Sequence, residues 1–213
     1  MTELPPSPYH LPWAWIVINS SGGKDSQTAL RQTVLAADES GIPRHRLVVA
    51  HQDLGIAEWK GTSDLVRRQA EHYGLRLEVR RYRNKEGVEE TLLDYVKRRG
   101  KWPDNKNRWC TSEFKRGPGG RLLTELRKQR NGPILQVFGF RADESPARAK
   151  RTALCLNNRF SNTLSPLVDW LPIHQWNQEQ VWADIRVSGV PHHFAYELGM
   201  PRLSCVFCIF ASQ

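Results

Sequence analysis

The chain has 213 residues, 31 Lys and Arg against 22 Asp and Glu, 39% hydrophobic residues and four cysteines. That length suits one domain with a sizeable core. No apolar run approaches the roughly 20 residues that span a bilayer, and four Cys are too few for a disulfide-stapled scaffold, so transmembrane, collagenous and wholly disordered classes are excluded.

The N-terminal MTELPPSPYHLPW lacks the basic and apolar regions of a signal peptide. With the sparse cysteines, this makes a reducing, cytoplasmic setting without membrane partners the expectation. Residues 1–12 carry Pro5, Pro6, Pro8 and Pro12 and read as an extended arm. Trp13–Asn19 (WAWIVIN) is a short apolar, β-branched run with the pattern of a buried strand. Asp25–Ser40 has helical periodicity through Ala29, Val34 and Leu35, and Gly41 and Pro43 stop it. Leu47–Ala50 is a second strand, followed by a helix over Ser63–Tyr73 closed by Gly74 and a strand over Leu75–Arg80. Helices over Val88–Arg99 and Arg121–Arg130 and a strand over Ile134–Phe138 complete the alternation. Beyond Ser145 the pattern weakens, and Gln178–Ser188 alone has a clear helical signature.

Strands alternating with helices predict an α/β fold, a doubly wound and mostly parallel sheet with helices on both faces. The core is expected over 13–145, with 146–213 a C-terminal segment packed on it. In such sheets ligands bind beyond the carboxyl ends of the strands.

The positive charge is uneven. Lys97–Arg151 holds 16 Lys and Arg against 5 Asp and Glu, whereas the other residues hold 15 against 17. A basic face or cleft aimed at a polyanion follows. Lys115, Arg116, Arg141 and Arg148 stand among Gly, Pro and Ser, where loops that grip phosphate are expected.

The most informative stretch is NSSGGKDS, Asn19–Ser26, between the first strand and first helix. Gly22 and Gly23 permit positive φ and close backbone approach. Successive N–H groups at a helix N-terminus then make an anion-binding nest. Ser20, Ser21 and Ser26 add hydroxyls, Lys24 a mobile cation, and Asp25 either caps the helix or helps to hold Mg²⁺. The spacing is not that of the Walker P-loop, because the glycines are adjacent and Asp follows the Lys.

SGGKDS resembles the pyrophosphate loop of the adenine-nucleotide α-hydrolase superfamily, which includes N-type ATP pyrophosphatases and phosphoadenosine phosphosulfate reductases. HQDLG (His51–Gly55), RWCTSEFKRGP (Arg108–Pro118), GFRADESPAR (Gly139–Arg148), LPIHQWNQEQVW (Leu171–Trp182) and SCVFC (Ser204–Cys208) are similar to later family segments in the same order. The resemblance implies a nucleotide-binding core for ATP with Mg²⁺, or for an adenylylated sulfate, with the α-phosphate as the reacting centre. Ser20–Ser26 would hold the pyrophosphate, Asp53 and Gly55 would lie by the nucleotide, and Lys115, Arg116 and Arg141 would neutralise phosphate. Lys24, Asp25 and Arg141 would be catalytic. Preorganised donors and cations do most of the work in displacement at phosphorus.

Cys205 and Cys208 form a Cys-x-x-Cys, while Cys110 and Cys155 stand alone. The pair could be half of a zinc site, which His192 and His193 would complete, a redox dithiol, or two ligands of an iron–sulfur cluster. Four thiols match a [4Fe–4S] cluster, which some relatives with scattered Cys bind, among them adenylylsulfate reductases and DNA phosphorothioation sulfurtransferases. Those reductases have Cys-Cys where this chain has Trp109-Cys110, so Cys155 becomes the fourth ligand. Phosphoadenosine phosphosulfate reductases also use a nucleophilic Cys near the C-terminus, and no Cys follows Cys208 here.

Trp13, Trp15, Trp176 and Trp182 read as core, whereas Trp59, Trp102 and Trp109 flank loops, where they anchor the chain or stack on a base. Three activities are therefore in contention. The first is α–β cleavage of ATP for sulfur transfer, with nucleic-acid phosphorothioation as an end use and a nucleic acid or sulfur-carrier protein as partner. The second is reduction of a phosphosulfate to sulfite. The third is nucleotide-gated nucleic-acid binding without turnover.

Overall fold

The computed structural model describes residue 8 and residues 11–210. Most of the arm expected over 1–12 lies outside the described residues. The elements in chain order are β1 (Trp15–Asn19), α1 (Lys24–Glu39), β2 (Leu47–Gln52), α2 (Thr62–His72), β3 (Arg76–Arg80), α3 (Leu92–Arg99), α4 (Trp109–Thr111), α5 (Gly117–Gln129), β4 (Ile134–Val137), α6 (Pro146–Ala149), β5 (Leu154–Leu156), β6 (Leu167–Trp170) and α7 (Gln178–Ser188).

The six strands form one sheet in the order β3-β2-β1-β4-β6-β5. All neighbours run parallel except the edge pair β5–β6. Alternate residues of β1 serve opposite faces. Ile16 and Ile18 pack with Leu30 and Val34 of α1, Val66 of α2, and Val181 and Ile185 of α7. Trp15 and Val17 pack with Leu122, Leu123 and Leu126 of α5. Burial on both faces explains why β1 reads as an unbroken apolar run rather than an alternating one. Strand order reverses between β1 and β4, so the crevice beyond their carboxyl ends is the topological switch point.

A smaller, separate apolar cluster holds Leu54, Ala57, Leu92, Tyr95, Trp109 and Phe114, and its Leu54 lines a crevice with Ser21. Trp109 is buried there, 4.7 Å from the Tyr95 ring, so it is core rather than a loop residue free to stack on a base.

Three expectations shift. α3 starts at Leu92 and not at Val88, because the Thr91–Asp94 capping box fixes its start and Glu89 bridges to Arg83. Arg108–Pro118 is mostly helical: α4 passes through a π-turn at Ser112–Arg116 into α5, whose first turn holds Pro118, a residue suited to that position. Lys115 and Arg116 therefore sit on a helical turn, and Arg148 on α6, rather than in loops. The sheet also runs past residue 145, since β6 pairs with β4. Strands of three and four residues are too short to leave a periodic signal.

Candidate functional site

The turn Ser20–Gly23 links β1 to α1 at the switch point. Gly22 has φ 73°, where a side chain is strained, while Gly23 is extended and caps α1. Asn19 Nδ2 donates to Val137 O at 3.1 Å, tying the ends of β1 and β4 together. The loop also bonds itself: Ser21 N–H reaches Ser26 Oγ (3.2 Å), Gly22 N–H reaches Ser20 Oγ (3.3 Å), and Ser26 Oγ donates to Gly23 O (2.8 Å).

Lys24 is 2% exposed and fixed in place. Its Nζ donates to Asp25 Oδ2 (3.2 Å) and Pro201 O (3.1 Å) and lies 5.4 Å from the Tyr196 ring centroid. Its backbone N–H donates to Tyr196 Oη at 2.9 Å. Burial pushes the Tyr196 hydroxyl up to about 12, so it meets this N–H as a neutral phenol. The segment from Tyr196 to Leu203 thus lies over the loop, with Tyr196 Oη and Leu203 Cβ close above Gly23.

Asp25 does not cap α1, whose N-cap makes no side-chain bond. Its Oδ1 accepts from Arg141 Nε at 2.6 Å and its Oδ2 from Lys24. Arg141 Nη1 bonds Asp143 (2.5 Å) and Trp176 O (3.3 Å). Burial disfavours the Arg141 charge, but Asp25 and Asp143 outweigh it and raise its pKa. With both Asp25 oxygens held by cations, the residues present do not fit a magnesium ion at this carboxylate. Gly139 lies against the first turn of α1, which lets Arg141 reach Asp25.

Asp53 and Gly55 stand at the end of β2. Asp53 Oδ1 accepts from Gly55 N–H (2.7 Å), and Oδ2 accepts from Arg81 Nε (2.9 Å) and Nη2 (2.7 Å). Burial would raise this carboxyl, but the Gly55 and Arg81 bonds hold it below its usual value. Lys115 lines a small crevice of about 50 Å³ with Ser21, Trp59 and Cys205, whereas Arg116 is exposed and outside that lining. Trp59 Nε1 donates to Ser204 O at 3.1 Å, so it anchors the C-terminal segment. The structure therefore gathers the Ser20–Ser26 loop, Lys24, Asp25 and Arg141 into one bonded group. Lys115 lines the crevice beside Ser21, Asp53 and Gly55 form the neighbouring turn, and Arg116 joins neither.

His51 has no role in the sequence reading, yet it braces the loop. Its Nδ1 lies 2.9 Å from Ser20 O and its Nε2 3.2 Å from Glu58 Oε2. Burial favours the neutral ring, but Glu58 and Ser20 prevail and raise the pKa above 6.5. A raised folded-state pKa adds stability that is fully present below the unfolded value and is lost as pH rises through the folded value. Thermal melts from pH 5.5 to 8.5 should therefore show the advantage of the native chain over His51→Gln shrinking with rising pH. A constant difference across that range would contradict the assignment. The signal for His51 was a polar residue directly after the buried LVVA run; nothing local marked Tyr196 or Arg81.

Cys110, Cys205 and Cys208 come together. Burial first and then Cys208, with Cys110 adding, push the Cys205 thiol up to about 11. Cys155 is elsewhere, on the exposed edge strand β5, where its Cα partner is Asp169. The four cysteines therefore do not fit a four-thiolate [4Fe–4S] site, because the chain places Cys155 at the sheet edge beyond β6. Zinc fares no better. His193 Nε2 lies 3.0 Å from Thr62 Oγ1 and its Nδ1 accepts from Ala195 N–H at 3.1 Å, so both ring nitrogens are engaged. Among the described residues, no three His, Cys, Asp or Glu side chains converge on a metal site, and no helix is long and apolar enough to cross a membrane.

The family model described as phosphoadenosine phosphosulfate reductase domain matches residues 15–211. An uncharacterised protein of Methanocaldococcus jannaschii is 29% identical over 188 residues, 88% of this chain and 40% of that protein. The adenosine 5′-phosphosulfate reductase of Staphylococcus haemolyticus is 26% identical over 169 residues, 78% of this chain and 60% of that enzyme. The chain thus spans less than two thirds of the length of these relatives. Among solved structures, phosphoadenylyl-sulfate reductase from Candida auris, a phosphate complex, superposes with a TM-score of 0.64 at 20% identity, covering 97% of this chain and 90% of that one. FMN adenylyltransferase from Candida glabrata gives 0.59 at 16% identity over 91% and 55%. Both share the fold.

Proposed function

We propose, from the premise that this chain belongs to the phosphoadenosine phosphosulfate reductase domain family, that its loop at Ser20–Ser26 holds an adenylylated sulfate. The observation that carries the reading is the Lys24–Asp25–Arg141 chain of ion pairs at the switch point. Two buried cations flank one carboxylate whose oxygens are both engaged. Such a site suits an anion that arrives without a metal, and a phosphosulfate is one. The naming of several relatives as adenosine 5′-phosphosulfate reductases supports the same substrate class.

In this reading the loop N–H groups and hydroxyls take the α-phosphate oxygens, and Lys24 and Lys115 face the sulfuryl oxygens. When a thiol attacks sulfur, the S–O bond to the adenylate breaks and negative charge grows on the leaving phosphate, where fixed donors stabilise it most. Burial and the neighbouring Cys208 push the Cys205 thiol up to about 11, which disfavours its thiolate, and in this reading the attacking thiol is supplied by a thioredoxin-type donor. The same raised thiol favours a second reading, α–β cleavage of ATP to adenylate an acceptor for sulfur transfer, a step in which an acceptor oxygen attacks the α-phosphate, pyrophosphate leaves and no thiol has to attack sulfur.

The test is calorimetric titration with adenosine 5′-phosphosulfate, its 3′-phosphate and ATP, with magnesium or EDTA, followed by sulfite and pyrophosphate assays in the presence of a dithiol donor. Sulfonucleotide binding indifferent to EDTA, with sulfite formed, is expected. Magnesium-dependent pyrophosphate release would replace this reading with the second, and binding of none of the three would sink both.

Tyr196 adds a quantitative expectation. Its hydroxyl takes the Lys24 N–H that a phosphate oxygen would accept from, so a nucleotide must displace it. Tyr196→Phe removes a competing hydrogen bond of about 1 kcal/mol, and nucleotide should bind roughly fivefold more tightly. Weaker binding would show instead that Tyr196 contributes to the bound state.

A further inference from the structure

Away from the loop, at the carboxyl end of β3, lies a cleft of about 290 Å³ lined by Arg80, Arg81, Arg83, Glu89, Arg121 and Glu125, with Val79 its one apolar side chain. Four guanidinium groups and two carboxylates line it, and Glu78 and Asp53 pair with two of the arginines from outside the lining. Arg80 is shared between Glu125 and Glu78 (2.7 Å each), Arg83 pairs with Glu89 (3.1 Å), and Arg81 is shared between Asp53 (2.7 Å) and Glu89 (3.7 Å). Arg121 donates to the Arg81 carbonyl at 3.0 Å and pairs with no carboxylate among the described residues. Arg81 and Arg83 are more than half exposed, and Glu89 and Glu125 nearly so, which leaves the pairs open to solvent and to exchange.

We propose that this cleft binds the phosphodiester backbone of a nucleic-acid strand. The cations are all arginine, whose planar fork matches phosphate oxygens in pairs. They come from two parts of the fold, the end of β3 and the segment after it (Arg80, Arg81 and Arg83) and α5 (Arg121), so the cleft offers phosphate donors on both sides. No apolar wall encloses or orients a small molecule, and no aromatic ring lines the cleft to stack a base, so binding is blind to sequence. Arg121 also belongs to the strongly basic segment from Lys97 to Arg151, whose excess charge extends the attractive field. The site does not depend on which nucleotide the loop at Ser20–Ser26 holds. Arg81 joins the two through Asp53, which would bring a bound strand alongside the nucleotide turn.

The experiment is fluorescence anisotropy of a 5′-labelled mixed-sequence 15-nucleotide single strand with the full chain, from about 50 to 200 mM salt. Arg83→Gln/Arg121→Gln is compared with a control carrying Arg186→Gln on α7, which packs on the other face of the sheet. Circular dichroism checks that each variant is folded, and the single variants Arg83→Gln and Arg121→Gln stand in if the double does not fold. The native chain should bind with affinity that falls steeply with salt. The double variant should lose about tenfold or more at low salt, with a salt slope shallower by roughly 1.4, the share of two phosphate contacts on a single strand. The control should stay within twofold. Absence of binding by the native chain at low salt, an unchanged slope in the arginine variants, or equal competition by hexaglutamate and by unlabelled oligonucleotide would each overturn the proposal. Sulfonucleotide titrations of the arginine variants should match the native chain, so failure here is distinct from failure of the nucleotide reading.

Discussion

Gly139→Ala is expected to lower stability by about 3 kcal/mol, at the upper end of what overpacking costs. A Cβ at this position would stand 2.6 Å from the Asp25 carbonyl carbon and 2.8 Å from Ser26 N, and closer still to Asp25 O. These are main-chain atoms in the first turn of α1, so no rotamer change relieves the contact. The end of β4 and the start of α1 would have to separate, which also pulls Arg141 from Asp25. For a chain of this size the melting temperature should fall by roughly 6–12 °C, and nucleotide binding should weaken with it. Gly119→Ala is the matched control: its Cβ would meet only Gln52 Nε2, at 3.8 Å, from a position within α5, so it should be neutral or mildly stabilising. Melting temperatures within 2 °C of the native chain for both variants would show that the close approach at Gly139 is not needed.

Arg141→Met should cost about 3 kcal/mol, because it strands a partly buried Asp25 with Lys24 as its remaining partner. Nucleotide affinity should fall about 10- to 100-fold if Arg141 also faces the anion, given that a charge-assisted bond is worth about 1.5–3 kcal/mol. The double variant Asp25→Asn/Arg141→Met separates the two roles. Neutralising both partners should restore most of the stability, since the uncompensated carboxylate is gone, while binding stays lost. Urea denaturation and calorimetry read the two quantities independently. Recovery of both together would mean that Arg141 acts on nucleotide only by keeping the fold intact.

The first half of the chain was legible because its signals are local. WAWIVI, Trp13–Ile18, is apolar throughout, as a strand buried on both faces must be, and Gly41, Gly74 and Gly100 mark the helix ends. SGGKDS announces a turn into a helix, and the structure places Gly22 at the positive φ such a turn needs. Legibility faded where elements are held by their neighbours instead of by their own composition. β6 is a strand because β4 offers it an edge and β5 because β6 does, and Trp109 is core because Tyr95 and Phe114 close over it.

By itself, then, the sequence determined the α/β alternation, the loop at the end of β1 and the excess of basic charge, all of which follow from residue types at short spacing. The tertiary structure alone decided what each charged group faces. Lys24 meets Tyr196 across 172 residues and Arg141 meets Asp25 across 116. The same packing leaves Cys155 at an edge away from the other cysteines and lines one cleft with Arg80 and Arg121 from different elements. The physical reason is that ionic and thiol chemistry depends on separation and burial in space, quantities that spacing along the chain fixes only within a single turn or helix.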